Sequence, residues 1–197
     1  MDPFYNDILL PQKLWSRAEI LSRPSPAPKQ AGVYGWYFRT IAQGVPTADC
    51  HYYQDCALLY VGISPKKPAQ NGRPASSYTL NQRLRQHLNG NAKGSTLRLT
   101  LGCLLQKELG IQLQRVGSGE RMTFVQGEQR LNAWLDANAF VTWMLHKEPW
   151  LIEEELIRLL SLPLNLDQNQ HHSFHATLSS LRSAARQRAQ ALPIANP

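Results

Sequence analysis

Two short runs of aromatic and branched apolar residues limit the fold more than any other feature of the sequence. GVYGWYF at 32–38 alternates its side chains with a period of two, and ALLYVGI at 57–63 is apolar up to Gly62. Aromatic and β-branched side chains favour pleated strands, and a segment rich in turn-forming residues separates the two runs. The sequence therefore predicts two strands here, and AFVTWML at 139–145 predicts a further strand.

Patterns with helical spacing follow the first two strands. Thr79 stands where an N-cap would begin a helix that runs through Asn91. Val116 and TFV at 123–125 predict a hairpin around Gly117-Ser118-Gly119. Further helices are predicted at 97–109 with Gly110 as C-cap, at 128–137, at 150–160 and at 177–192. This mixture of strands and helices predicts an α+β fold.

The length and composition fit one folded domain. A chain of 197 residues that is 43% hydrophobic can bury a full-sized core. Cys50, Cys56 and Cys103 are odd in number and show no paired spacing. Neither a disulfide framework nor a zinc ribbon is therefore predicted.

The balance of charges favours a polyanionic partner. Lys and Arg exceed Asp and Glu by 21 to 14, which gives a formal net charge of +7. Such an excess attracts nucleic acid, although a basic protein can also use its charge only for solubility. The N-terminal residues lack a signal-peptide pattern, and no apolar run approaches the ~20 residues that span a bilayer. We therefore expect a cytoplasmic protein without a membrane partner.

Two ionisable residues fall on the inward side of the helix that Thr79 begins. Leucines spaced by four residues form its apolar stripe, and Arg83 and His87 share that side. A cation placed there needs an anion, a polar cleft or a bound ligand to offset its desolvation. The alternative is that Arg83 extends to the rim and that His87 is a hydrogen-bonded core residue.

Glu153 is a similar exception in the helix predicted at 150–160. Isoleucines and leucines define the apolar side of this helix, and Glu153 falls inside their arc, whereas Glu154 and Glu155 fall nearer its edges. A buried carboxylate without a partner is costly, so Glu153 requires an Arg, a His or a bound cation. A structural ion pair with a core Arg is the alternative explanation.

Five short motifs carry a resemblance to a known family. In chain order they are Gly32-Val33-Tyr34, Tyr60-Val61-Gly62, Leu80-Asn81-Gln82-Arg83, Glu153-Glu154-Glu155-Leu156-Ile157 and Pro163-Leu164-Asn165. Each motif is weak alone, but all five in this order resemble the motif set of the GIY-YIG nucleases. The resemblance implies a small antiparallel β-sheet flanked by helices and an activity that hydrolyses phosphodiester bonds.

The resemblance also assigns roles to the matching residues of the first three motifs. Tyr34 and Tyr60 would be the paired strand tyrosines that place or activate the attacking water. Arg83 would stabilise the phosphate. His87, one helical turn later, matches a histidine of some members and is a candidate proton relay.

The last two motifs would supply the metal ligand and a structural amide. Glu153 would be the sole protein ligand of Mg²⁺ or Mn²⁺, and Asn165 would hold the site together by hydrogen bonds. Gly62 would allow a close approach of the backbone. The chain departs from the repair members of the family because Pro163 stands one residue nearer to Asn165, and Glu154 therefore stays an alternative metal ligand.

The resemblance divides the chain into three parts. Residues 1–31 are expected to be a Pro-rich lead-in or linker, 32–175 the nuclease domain, and 176–197 a basic C-terminal helix or tail. An insertion at about 106–145 matches nothing general in the family. We expect this insertion to carry substrate recognition.

Basic residues outside the motifs are weaker candidates for contact with DNA. Lys93 and Arg98 flank a glycine-containing helix start, which can bind phosphate through backbone N–H groups or can be a simple capping turn. With Lys66, Lys67 and Arg73 they would form a positive rim for a DNA backbone.

Two further groups of polar residues stand near the end of the chain. His171, His172 and His175 do not have the spacing of a zinc site and are expected to border the active site instead. The tail arginines are expected to form a solvated face, with DNA contact as the alternative. They are Arg182, Arg186 and Arg188.

The sequence thus predicts a Mg²⁺-dependent endonuclease that hydrolyses DNA in one step through water. The alternative is a non-cleaving nucleic-acid-binding module on the same scaffold, which loss of Arg83 or Glu153 would favour; both residues are present. A third hypothesis is an assembly factor that binds a partner through its C-terminal helix. The sequence makes no prediction of the oligomeric state.

Overall fold

The computed structural model describes residues 3–68 and 76–195. Its main sheet contains β1 (Trp15–Ser16), β2 (Gly32–Phe38), β3 (Tyr52–Tyr53), β4 (Cys56–Ser64) and, after a hairpin of β5 (Gln114–Val116) and β6 (Arg121–Thr123), β7 (Ala139–Leu145). The strand order is β1-β7-β2-β4-β3, and every neighbouring pair runs antiparallel. The predicted α+β class and the antiparallel sheet flanked by helices are therefore confirmed.

A short 3₁₀ turn at Pro3–Tyr5 and the α-helices surround this sheet. In chain order the helices are α1 (Asn6–Leu9), α2 (Arg17–Leu21), α3 (Leu80–Asn89), α4 (Thr96–Leu104), α5 (Gly127–Asn138), α6 (Pro149–Leu159) and α7 (His175–Ala191). Within the described ranges, every helix is too short or too polar to pass through a bilayer.

The sheet buries both of its faces because successive side chains of a strand point to opposite sides. On one face, Tyr34, Trp36 and Phe38 of β2 pack in a cluster with apolar residues of α3, α4 and α5. On the other face, Val33 and Tyr37 pack in a cluster with apolar residues of α1 and α6. All seven residues of β2 are buried, which explains why its sequence is apolar throughout.

Local signals predicted most of the element boundaries. Strands β2 and β7 have the predicted limits, and β4 is one residue longer at each end than the run at 57–63. Thr79 caps α3 as predicted, because its side chain accepts the backbone N–H of Gln82 while the Gln82 side chain bonds back to the Thr79 N–H.

The helix predicted at 97–109 is shorter than expected. Helix α4 ends at Leu104, and Gly110, with a φ of +58°, lies in a turn rather than at its C-cap. Leu105 and Leu109 still pack in the cluster that contains Tyr34, Trp36 and Phe38. Their apolar spacing therefore continues after the helical backbone has stopped, and periodicity alone placed the end too late.

The hairpin forms around Gly117-Ser118-Gly119 as predicted, but its second strand lies two residues earlier than expected. Strand β6 runs from Arg121 to Thr123, so that Phe124 and Val125 lie outside it. Phe124 is buried in a third cluster that includes Ala185 and Ala189 of α7. Burial of Phe124 between elements, and not pairing in a strand, accounts for its apolar character.

Two segments expected to lie outside the nuclease core contribute to it. In the predicted lead-in, Ile8 and Ile20 are fully buried and β1 pairs with β7. In the predicted insertion, β7 pairs with β2 along its whole length. The central sheet is therefore built partly from residues 15–16 and 139–145.

Candidate active site

One cavity brings together most of the residues that the motifs singled out. It has a volume of ≈ 500 Å³ and lies where α3, α4, α6, α7 and the loop after α6 meet strands β2 and β4. Its lining includes the predicted residues Tyr34, Tyr60, Arg83, Glu153 and Asn165. His87 is fully buried directly behind Tyr34 and does not reach the cavity.

Tyr34 and Tyr60 meet because of the register between β2 and β4. Tyr34 pairs with Gly62, and Trp36 pairs with Tyr60, so that the two tyrosines are diagonal neighbours with ring centroids 6.5 Å apart. A Cβ on Gly62 would lie 2.5 Å from the Tyr34 hydroxyl oxygen. Glycine at position 62 therefore makes room for the Tyr34 ring to cross β4.

A chain of buried hydrogen bonds holds the Tyr34 hydroxyl. Its oxygen lies 2.8 Å from Nε2 of His87, and Nδ1 of His87 lies 2.6 Å from the hydroxyl of Ser95. Ser95 also caps α4 by accepting the backbone N–H of Arg98 at 3.1 Å. Burial, with the nearby charges of Arg83 and Arg98, holds the pKa of His87 well below its usual value, so the ring is neutral.

Arg83 extends from α3 into the cavity beside Tyr34. Its Nε donates to the Tyr34 hydroxyl at 3.4 Å, and one Nη donates to the carbonyl oxygen of Gly94 and to the side chain of Gln86, both at 3.1 Å. The other Nη makes no hydrogen bond to any described residue. The guanidinium is thus oriented on one side and keeps donors for an anion on the other.

Glu153 is a carboxylate in a partly desolvated place. Ile152, Leu156 and Ile157 bury the apolar side of α6, while Glu153 faces the cavity from the edge of that side. Burial, reinforced by the negative charge of Asp167, raises the pKa of Glu153 to about 7. In the described parts of the chain it forms no ion pair, so the predicted alternative of a structural pair with a core Arg is not observed.

These surroundings fit a hard divalent cation. Magnesium takes oxygen ligands and commonly uses only one or two protein carboxylates, completing its shell with water and substrate oxygens. Glu153 is partly buried and has no ion-pair partner among residues 3–68 and 76–195, and Asp167 and Glu154 line the same cavity. No group of three or more acidic, histidine or cysteine side chains suited to a metal occurs among the described residues, so an ion here would keep several other ligands.

Asn165 hydrogen-bonds to the edge of β4 that faces away from β2. Strand β3 pairs with Cys56 and Ala57 at the start of this edge, and the loop after α6 lies along the part that follows. The Asn165 amide accepts the backbone N–H of Val61 and donates to the carbonyl oxygen of the same residue, both at 2.9 Å. One side chain thereby satisfies two buried backbone groups next to Tyr60.

The basic rim predicted around the site is only partly present. Lys66 and Lys67 line the cavity, Lys93 is exposed but does not line it, and Arg73 lies outside the described residues. The prediction for Arg98 is wrong. Its side chain is fully buried and pairs with Glu128 at 2.6 Å, because α4 packs against α5 at this point.

The C-terminal histidines do not line the cavity, contrary to the prediction that they border the site. The Nε2 atom of His172 lies 3.1 Å from the Ser161 hydroxyl. Its Nδ1 atom accepts the backbone N–H of Phe174 at 3.1 Å. His175 is the first residue of α7. These contacts stabilise the connection between α6 and α7.

Several residues that the motifs did not indicate also face the cavity. They include Thr96, Trp150, Asp167 and Arg182. Thr96 hydrogen-bonds to Tyr60. Arg182 was expected on a solvated face, and only the docking of α7 beside α4 brings it to the cavity. Its helical spacing on α7 carried no signal of this position.

The fold is thus an antiparallel sheet flanked by helices, with two strand tyrosines, an arginine and a partly buried glutamate around one cavity. Residues 32–184 match the family model described as the GIY-YIG catalytic domain. The chain therefore belongs to the GIY-YIG family and carries a nuclease-type domain. No curated protein and no solved structure matches the chain significantly.

Proposed function

We propose that this protein is a divalent-metal-dependent endonuclease that hydrolyses phosphodiester bonds of DNA with an activated water. The observation that carries the proposal is the convergence of Glu153, Arg83, Tyr34 and Tyr60 on one cavity. Phosphodiester hydrolysis needs a cation for the developing charge and a positioned water. These four side chains can supply both requirements.

Glu153 is the proposed ligand of Mg²⁺ or Mn²⁺. Of the two adjacent glutamates that line the cavity, Glu153 is partly buried, whereas Glu154 is exposed. An ion at Glu153 would offset the cost of desolvating its carboxylate. When bound, such an ion would act as a Lewis acid on the scissile phosphate.

The tyrosines position the attacking water in this proposal. Burial raises the pKa of Tyr34 and of Tyr60 above its usual value, so that both are neutral phenols at pH 7. A neutral phenol orients water by hydrogen bonding. Arg83 directs its unpaired Nη at the phosphate, and Asn165 keeps β4, which carries Tyr60, in place.

DNA is the proposed substrate because of the charge around the cavity. Lys66 and Lys67 line the cavity, and the chain carries a formal net charge of +7. Contacts of this kind hold the backbone of DNA without reading its sequence. Lys93, exposed just before α4, would extend the same surface.

The test is cleavage of labelled single-stranded and double-stranded DNA with Mg²⁺, against an EDTA control. We expect products only with metal, and a loss of at least about a hundredfold in Glu153→Gln, since metal catalysis contributes several kcal/mol. Glu154→Gln is the matched control and should retain cleavage. Loss in Glu154→Gln with activity kept in Glu153→Gln would overturn the ligand assignment.

The same experiment separates the proposal from a non-cleaving binding module. If the wild-type protein binds DNA and releases no product with Mg²⁺ or Mn²⁺, the endonuclease proposal is wrong. A rise in melting temperature on adding Mn²⁺, absent in Glu153→Gln, would report the ion independently of cleavage.

A further inference from the structure

The C-terminal helix is built into the nuclease domain. Leu178, Ala185 and Ala189 of α7 are buried, and the two alanines pack in a cluster with residues of α4 and of the segment around the β5–β6 hairpin. The hairpin residue Arg115 donates to the carbonyl oxygen of Leu192 at 2.8 Å, and its own carbonyl accepts the N–H of Ala195 at 2.8 Å. The predicted insertion therefore anchors the end of α7.

This docking places Arg182 in the wall of the active-site cavity. Arg182 lines it together with Tyr60, Thr100 and Asp167. The Nε of Arg182 is buried and has no hydrogen-bond partner in the described residues, which also offer the guanidinium no ion pair. A buried N–H donor without a partner is costly, so the free protein gains nothing from this arrangement by itself.

A comparison with two structural arginines shows what is particular to Arg182. Arg98 in α4 is fully buried and donates to Glu128, Asn132 and the carbonyl of His87. Arg115 has a buried Nε without a partner among the described residues, but it donates through one Nη to the carbonyl of Leu192 and does not line the cavity. Arg83 and Arg182 both line the cavity with a donor that has no partner among the described residues.

We propose that Arg182 is a second phosphate-contacting residue of the active site, in addition to Arg83. The proposal rests on the proposed nuclease function for the identity of its ligand, a phosphodiester of DNA. A phosphate group has two non-bridging oxygens, and guanidinium groups bind such oxygens with paired N–H donors. Helix α7 is therefore part of the active site and not a separate tail.

The first test is DNA binding in EDTA, measured by fluorescence anisotropy as a function of salt concentration. Arg182→Met should weaken binding about tenfold and lower the slope of log affinity against log salt by about one. Arg186→Met, which removes an exposed arginine of the same helix, is the matched control and should leave the slope unchanged. Equal losses in both variants, or no loss in Arg182→Met, would overturn the proposal.

The second test separates a phosphate contact from a structural role. Because Arg182→Met removes a desolvated cation, its melting temperature should equal or exceed that of the wild type. A fall of several degrees with unchanged DNA affinity would assign Arg182 to the fold instead. Arg182→Lys, which keeps the charge, should retain most of the salt slope.

Cleavage under single-turnover conditions completes the design. With Mg²⁺, Arg182→Met should cleave about a hundredfold more slowly than the wild type, as for other lost charge contacts in a transition state. Absence of cleavage by the wild type would overturn the proposed nuclease function. The anisotropy experiment in EDTA would still decide the role of Arg182, so the two failures are distinguishable.

Discussion

The hydroxyl of Tyr34 lies 2.8 Å from Nε2 of His87 in a buried part of the fold. On the far side of the ring, the Ser95 hydroxyl accepts the N–H of Arg98, so its own proton is available for Nδ1 of His87. We infer the tautomer that places the proton of the neutral ring on Nε2, from which it is donated to the Tyr34 oxygen. In this tautomer the Tyr34 oxygen accepts both that proton and the Nε–H of Arg83, and the phenolic proton is left to face the cavity.

Tyr34→Phe should lower DNA cleavage by about a hundredfold or more, because the positioned donor at the cavity is lost. The change also leaves the buried Nε2 of His87 without a partner and should lower the free energy of unfolding by about 1–3 kcal/mol. Tyr37→Phe is a matched control, since Tyr37 donates to the carbonyl oxygen of Ile8 on the other face of the sheet. Equal loss of activity in both variants would contradict the role of Tyr34.

His87 should make the protein less stable in mild acid. Its pKa in the folded state is held well below the ordinary histidine value of 6.5, so below pH 6.5 the unfolded chain binds a proton that the folded chain does not. The stability that His87 contributes is present above pH 6.5 and is lost as the pH falls, by up to about 1.4 kcal/mol per pH unit.

This effect can be measured by urea unfolding of the wild type and of His87→Gln between pH 5 and 8. The quantity to compare is the difference in their free energies of unfolding at each pH. Glutamine does not titrate, so the stability difference between the two proteins should change with pH below 6.5. His171→Gln removes an exposed histidine and should track the wild type. A difference between wild type and His87→Gln that is constant with pH would show that folding does not shift the pKa of His87.

Asn165→Leu should destabilise the fold and slow cleavage together. Leucine is similar in size but leaves the N–H and the carbonyl of Val61 without their 2.9 Å partners. At about 1–3 kcal/mol for each of the two unsatisfied buried groups, the loss in unfolding free energy should be about 2–6 kcal/mol. Gln170→Leu, at an exposed position of the same loop, should change it by less than about 0.5 kcal/mol in urea titrations.

Arg98→Met should lower the free energy of unfolding by about 3–5 kcal/mol, because it leaves Glu128 without its charge partner in a mostly buried pair. The salt dependence of DNA binding by the folded variant should equal that of the wild type. Lys93→Ala should keep the free energy of unfolding of the wild type but lower the slope of log DNA affinity against log salt concentration. If Arg98→Met does not fold, Arg98→Lys allows the same two measurements. A reduced salt slope in a stable Arg98 variant would restore Arg98 to the DNA-binding surface.

Several features of the fold and of the candidate site could be predicted because they depend on residues close in sequence. Strands β2 and β7 and the cap at Thr79 follow from side-chain alternation and from a local hydrogen bond. Arg83 and Glu153 could be identified because a charge inside an apolar helical arc is an exception in any fold. The order of the five motifs then predicted that Arg83 and Glu153 share one site with Tyr34.

Other features depend on contacts between distant segments, which no local pattern contains. Arg98 and Arg182 are both helical arginines, yet one is paired with Glu128 and the other lines the cavity. Helical spacing specifies which side of its own helix a residue occupies. It does not specify which element packs against that side, and that partner determines whether a charge is neutralised, hydrated or held ready for a ligand.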